Sequence, residues 1–345
     1  MPLSEKQGVG SSILPLATMK KIIKMLIFTI LDSFYDVIFG KVREDKHIIW
    51  RPKNYLHYSK YYWKLVQKPL ESRGIYQPLL PSNIKTLKDF WTFHDEHLVL
   101  DEFSELIESE SKDTEKWFID IGAGDGVDAS NTFNLVQNKY KGHMLEVDDS
   151  KFAKLATIYQ DFPDVQLYKT KITPNNVVDL LSSFNLPNKV DVLNLDIDSY
   201  DFEVLEKILP KFKFKFLILE INPLFPKSID FSVTYDEAFE WESNQFQGAS
   251  LSMFYKLLKK HNYSCVHING AFLLALDSDS LNSKVLEKNI SELEETLKSS
   301  LKNNDPKDWD NIYKLFWSSS DEEIISHSNE LFKNYNNYII KKSNL

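Results

Sequence analysis

Five short apolar runs alternate with helical stretches between residues 117 and 221, and this alternation constrains the fold more than any other feature of the chain. The runs fall at Trp117–Ile121, 143–147, 165–170, Val190–Leu195 and 214–221, with helical patterns at 130–139, 150–160, 175–184 and 201–209 between them. A strand that is apolar throughout must be covered on both faces, and strands separated by helices pair in parallel. The pattern therefore predicts a doubly wound, mostly parallel α/β sheet. Ser250 then opens a helix over Leu251–Lys260, and apolar runs at 263–268 and 271–276 flank Asn269-Gly270. Asn-Gly between two apolar runs signals a hairpin, because a type I′ turn needs positive φ at both central residues. The expected sheet thus ends in an antiparallel hairpin, with helical additions at both ends of the chain.

Length and charge bound the rest. A chain of 345 residues that is 43% hydrophobic and 26% charged can bury a large core. One cysteine, Cys265, excludes an intrachain disulfide framework and leaves too little thiol for a zinc-thiolate site. The formal net charge is −9, yet residues 1–70 carry twelve Lys and Arg against five Asp and Glu. The body is therefore strongly acidic, which argues against nucleic acid as a partner. We place a helical, basic and aromatic N-terminal region at 1–111, the α/β domain at 112–278 and a helical extension at 279–345. Residues 22–39 carry apolar positions at helical spacing but no uninterrupted run long enough to span a bilayer. This segment reads as an amphipathic helix packed on the body. A membrane-surface anchor and a signal-like segment are its alternatives, so residues 20–68 give a cytoplasmic protein one route to peripheral membrane contact. In the extension, Leu286, Ile290, Leu293, Leu297 and Leu301 predict a helix packed on the domain, or one that pairs with a second copy. The Asn- and Lys-rich end is expected to be partly mobile.

The chemistry concentrates where the first strand ends. Asp120-Ile121-Gly122-Ala123-Gly124-Asp125-Gly126 places an acid at the strand end and three glycines at alternate positions after it. Glycines allow a sharp turn and a close approach of ligand to backbone, and a strand-to-helix turn aims amide groups outward. Asp120 supplies a carboxylate where an amine-bearing cofactor can be held. Twenty-four residues beyond Gly122, Glu146 ends the second strand, where a carboxylate can accept from both hydroxyls of a ribose. A dinucleotide site prefers a third glycine one place later than Gly126, so a pyrophosphate is less expected.

These residues resemble class I S-adenosylmethionine-dependent methyltransferases, which have a Rossmann-like fold. More closely, Gly122 to Val127 with Ser130-Asn131-Thr132, and then Leu193-Asn194-Leu195-Asp196-Ile197-Asp198-Ser199-Tyr200-Asp201, are similar to FkbM-like methyltransferases. The resemblance covers roughly residues 112–278. It implies S-adenosylmethionine as cofactor, with Asp120, Gly122, Ala123, Gly124, Asp125 and Gly126 around its methionine part and Glu146 at its ribose; Asp196, at the end of the fourth strand, is a further candidate contact to cofactor or substrate. It also implies oxygen as the methyl acceptor, on a carbohydrate or small molecule. Members often carry a proline after the second-strand acid, whereas Val147-Asp148-Asp149 follows here.

Ligands of an open parallel sheet bind outside the carboxyl ends of its strands. The fourth strand ends in Asp196 and Asp198, the expected catalytic pair, and the fifth ends in Glu220 and Asn222. Methyl transfer needs an aligned nucleophile and a group to take its proton. Asn131, Tyr200, Glu220, Asn222 and Trp241 are the candidate substrate contacts. No metal ligand is assigned, although Asp196, Asp198, Glu220 or Asn222 could hold a divalent cation. The insertion at 223–250, rich in aromatics and acids, is a candidate lid over that edge, with a solvated loop as its alternative. An acidic, aromatic cover suits a sugar, polyol or cationic acceptor. Two other readings stay open: an S-adenosylmethionine-binding protein without catalysis, and a nicotinamide-dependent oxidoreductase.

Overall fold

The computed structural model describes residues 116–345, apart from 127–129, 161, 281–285 and 305–308. The apolar segment at 22–39, the rest of the basic and aromatic region at 1–111 and its boundary with the α/β domain lie outside the described residues. No helix among the described residues is long and apolar enough to cross a membrane.

Five strands pair in parallel: β1 (Trp117–Ile121), β2 (Lys141–Glu146), β3 (Val165–Lys169), β4 (Val190–Leu195) and β5 (Phe214–Glu220). The helices α1 (Phe133–Gln137), α2 (Asp149–Tyr159), α3 (Val177–Ser183) and α4 (Asp201–Ile208) connect them. β4 is buried along its whole length, as its unbroken apolar character demands. The sheet continues through β8 (Phe272–Asp277) and β7 (Tyr263–Asn269), both reached after α5 (Leu251–Lys260). The order is β3-β2-β1-β4-β5-β8-β7, with β8 antiparallel to both β5 and β7. The fold is thus the Rossmann-like α/β sheet with a terminal antiparallel hairpin that the sequence pattern predicts. Strand order reverses between β1 and β4, which opens a crevice outside their carboxyl ends.

The hairpin turn differs in detail from expectation. Asn269 pairs with Phe272, so Gly270-Ala271 form the two-residue turn rather than Asn269-Gly270. Positive φ falls on Gly270 alone of the two, as a type II′ turn requires, because Asn269 remains in the ladder.

The second departure is a two-stranded antiparallel sheet that sequence reading did not anticipate. β6 (Ile229–Val233), inside the insertion, pairs with β9 (Tyr338–Lys342), in the segment expected to be mobile. Its physical basis is aromatic burial. Phe231 stacks on Phe225 at 4.3 Å, and Phe246 stacks on Tyr335 at 3.9 Å and 10°. Phe231 and Phe246 are fully buried, so the insertion is a packed element rather than a solvated loop. The C-terminal extension otherwise comprises α6 (Ile290–Asn304), a π-helical turn at Trp309–Tyr313, α7 (Lys314–Ser318) and α8 (Asp321–Leu331). A capping box between Ser320 and Glu323 starts α8. Leu293, Leu297 and Leu301 of α6 are buried, as a helix packed on the domain requires, whereas Leu286 precedes the helix and is exposed.

Candidate functional site

The glycine turn leaves β1 with positive φ at all three glycines, +87° at Gly122, +60° at Gly124 and +73° at Gly126. Gly122 is required by contact as well as conformation. A Cβ there would lie 1.6 Å from the backbone oxygen of Asp196, so the turn presses directly against the end of β4. Gly124 is the opposite case, because a Cβ there would meet nothing within 4 Å. The turn is bolted to β2 from below, where the amides of Gly122 and Ala123 both donate to the Leu145 carbonyl at 3.0 Å. From the side it is held by Glu146, which accepts from the Gly124 amide at 2.7 Å and from the Asp148 amide at 2.6 Å. The expected ribose acid therefore faces the glycine turn, and each oxygen keeps a further lone pair. Asp125 is half-buried within the turn, and the Gly126 carbonyl accepts from the Tyr159 hydroxyl at 2.7 Å.

Asp120, expected beside a cofactor amine, is met on both oxygens by protein. It is 2% exposed and accepts from Thr132 Oγ1 at 2.5 Å and from Asn194 Nδ2 at 2.8 Å. Asn194 in turn accepts from Asn131 Nδ2 at 3.0 Å. Burial pushes the Asp120 carboxyl up to about 6, although the hydrogen bonds from Thr132 and Asn194 oppose that shift. Sequence reading did not give Asn194 or Thr132 a role. The available signal for Asn194 was an amide inside an otherwise apolar run, since a buried polar side chain needs partners.

At the ends of β4 and β5, Asp196, Asp198 and Glu220 each present an oxygen within 4.8 Å of the others. That spacing suits a shared proton or a bound cation. Glu220 shares a hydrogen bond with Asp196 and is pushed well upward, first by burial and then by the charges of Asp196 and Asp198. Asp196 is raised to about 8 by burial and the neighbouring Asp198 charge. Asp198 is raised to about 6 by burial, with the Asp201 charge adding and Lys151 opposing. Three carboxyls this close cannot all be ionised near neutral pH, so the cluster holds a shared proton there, and Glu220 and Asp196 are the two pushed furthest toward the acid form. Asp198 also has φ +55°, a left-handed conformation uncommon for a residue with a side chain. Asp201 holds it there, accepting from the amides of Ile197 at 2.8 Å and Ser199 at 3.0 Å.

The other expected contacts divide. Tyr200 is buried; its hydroxyl donates to the Ile172 carbonyl at 3.1 Å and its ring packs edge-on against Tyr235, so it is a packing residue here. Asn222 is wholly buried and donates to the carbonyls of Gln245 and Gln247, both at 2.9 Å, which clips the insertion to the end of β5. Trp241 is 38% exposed and its indole N–H closes a local turn onto the Asn244 carbonyl. The insertion reaches the carboxylates by other residues. Gly248 donates its amide to the Ser199 carbonyl at 2.8 Å, and Gln247 Nε2 lies 3.4 Å from Glu220. Gln247 was missed by sequence reading, because only the folded course of the insertion brings it there.

No family model matches the chain, and no curated protein matches it. Among solved structures it is similar to the CurJ carbon methyltransferase, at 12% identity over 66% of this chain and 68% of that one, with a TM-score of 0.36. It is also similar to the N-terminal domain of EvdMO1 with SAH bound, at 9% identity over 62% and 94% of the two chains and a TM-score of 0.34. A SAM-dependent methyltransferase from Aquifex aeolicus gives 14% identity, 53% and 90% coverage and a TM-score of 0.31. At these scores the likeness carries no functional weight, and the site is read from its own residues.

Proposed function

We propose that the protein is an S-adenosylmethionine-dependent methyltransferase that methylates a hydroxyl of a carbohydrate or another small molecule, with FkbM-like enzymes as its relatives. One observation carries the reading. A glycine turn with open space at Gly124, faced by Glu146, stands against a strand end that carries a proton-sharing carboxylate cluster. The cofactor fits the residues present: a side-chain-free turn for close backbone approach, and a buried acid for ribose hydroxyls.

When bound, S-adenosylmethionine supplies an electrophilic methyl group on a sulfonium. The protein's part is to orient the acceptor hydroxyl and take its proton. Asp198 is the candidate base, because a carboxyl raised toward the working pH yet still largely ionised is better matched than an ordinary aspartate, and Asp196 beside it, raised further, shares the cluster's proton. With the cofactor held by the glycine turn and Glu146, the carboxylates at the ends of β4 and β5 would take the acceptor's hydroxyl proton while the sulfonium supplied the methyl group. The proton shared with Glu220 keeps the cluster from accumulating a third charge.

The reading is tested by calorimetric titration of the full chain with S-adenosylhomocysteine, NAD and NADP, followed by incubation with S-adenosylmethionine and a panel of sugars and polyols. Binding of S-adenosylhomocysteine alone, with its release as product in the presence of one acceptor class, is the expected result. Binding of a nicotinamide dinucleotide instead would overturn it.

A further inference from the structure

A chain of directed hydrogen bonds runs from the buried end of the site and stops one bond short. Asp120, as an anion, can only accept, so Asn194 presents its NH₂ to it. Asn194 therefore turns its carbonyl oxygen toward Asn131, which must present its own NH₂. The direction of every amide in the chain follows from the carboxylate at its root. What remains is the carbonyl oxygen of Asn131, which has no hydrogen-bond partner although the residue is only 3% exposed.

A buried acceptor without a protein partner is uncommon, so a bound group that donates to it is the natural candidate. The partner must be a donor, and the surroundings favour a positive one. The Asp120 carboxylate lies two hydrogen bonds behind that oxygen, through Asn194. An Asn carbonyl polarised through two hydrogen bonds from a carboxylate is a stronger acceptor than an isolated amide.

We infer that the Asn131 carbonyl oxygen receives the α-ammonium group of the cofactor, with Asp120 acting behind it through Asn194 as a positioning residue. This rests on the proposed methyltransferase reading and changes one assignment within it. The resemblance puts the strand-end acid around the methionine part, whereas here that acid is closed off by Thr132 and Asn194 and the amide takes the ligand.

The test compares three nucleosides by calorimetry on the full chain. S-Adenosylhomocysteine carries amine and carboxylate, S-adenosyl-3-thiopropylamine keeps only the amine, and 5′-methylthioadenosine has neither. With the unaltered protein, the amine-bearing thiopropylamine is expected to bind at least 10-fold more tightly than 5′-methylthioadenosine. Equal affinities would overturn the inference with no variant needed. In Asn131→Leu, S-adenosylhomocysteine is expected to lose 10- to 100-fold while 5′-methylthioadenosine is unchanged, a split that a general loosening of the site would not give. Unchanged affinity for S-adenosylhomocysteine in that variant would also overturn it. If the unaltered protein binds none of the three, the methyltransferase reading itself fails, and the inference with it.

Discussion

Asn194 on β4 and Asp120 on β1 are register partners in the parallel ladder, and their side chains are joined at 2.8 Å. The two strands that flank the reversal of strand order are thus tied by a polar bond at the mouth of the crevice as well as by their backbones. The bond keeps the glycine turn, which leaves β1, in fixed relation to the carboxylates, which leave β4.

Breaking that tie has a stability cost separate from chemistry. Asp120→Ala leaves the Asn194 amide and the Thr132 hydroxyl without their acceptor inside the core. Unsatisfied buried donors cost about 1–3 kcal/mol each. Urea unfolding is expected to show a loss of about 2–4 kcal/mol, and a loss below 0.5 kcal/mol would show that the network is not structural.

Gly122 and Gly124 are expected to part company when each is replaced by Ala. At Gly122 the new methyl would collide with the Asp196 backbone oxygen, so the protein should be strongly destabilised, by about 3 kcal/mol or more, or fail to accumulate. At Gly124 the methyl meets open space, and positive φ alone costs about 1–2 kcal/mol. Gly124→Ala should therefore fold, with a melting temperature a few degrees lower, yet bind S-adenosylhomocysteine at least 10-fold more weakly. Equal behaviour of the two variants would contradict this geometry.

The carboxylate cluster makes stability depend on pH in a stated direction. Asp196 and Asp198 have folded-state values of about 8 and 6, both above their ordinary value, so the folded protein binds more protons than the unfolded chain in between. The contribution of these two groups to stability must then fall as pH rises from about 4 to 8. Glu220→Gln removes one member of the cluster. Its melting temperature should exceed that of the unaltered protein at pH 8 and approach it at pH 5. A gap that widens toward acid pH would refute the sign.

Asp198 combines a like-charged neighbourhood with left-handed backbone, a form of strain that concentrates at functional sites. Asn tolerates that conformation and carries no charge. Asp198→Asn is therefore expected to stabilise the fold by about 1–2 kcal/mol, while methyl transfer falls at least 100-fold. Thermal unfolding and product release, measured on the same preparation, check both halves.

Much of the sheet was legible because its strands are apolar along their whole length. Trp117–Ile121 and Val190–Leu195 announce themselves by composition alone, and their ends carry the acids that matter. The hairpin was legible as a hairpin, and its turn was misplaced by one residue because Asn269 can stay in a strand as readily as it can enter a turn. The carboxylates at 196, 198 and 220 could be named because strand ends in such sheets converge. The bonds of Asn222 and Tyr200 could not, since a polar residue near a strand end looks the same whether it meets ligand or backbone carbonyls. Pairing of β6 with β9 was illegible for a further reason. Its signal is spread over aromatic residues of the insertion and the distant C-terminal extension, and no local period records their meeting.

That distant pairing has a consequence for synthesis. Asn337 closes onto Thr234 across 103 positions. A ribosome that has finished the seven-stranded sheet has therefore still to deliver the strand that completes the insertion beside it. During that interval Phe231 and Phe246 lack part of their final packing, so the nascent chain carries a half-built aromatic layer, and chaperone engagement or early proteolysis should concentrate there.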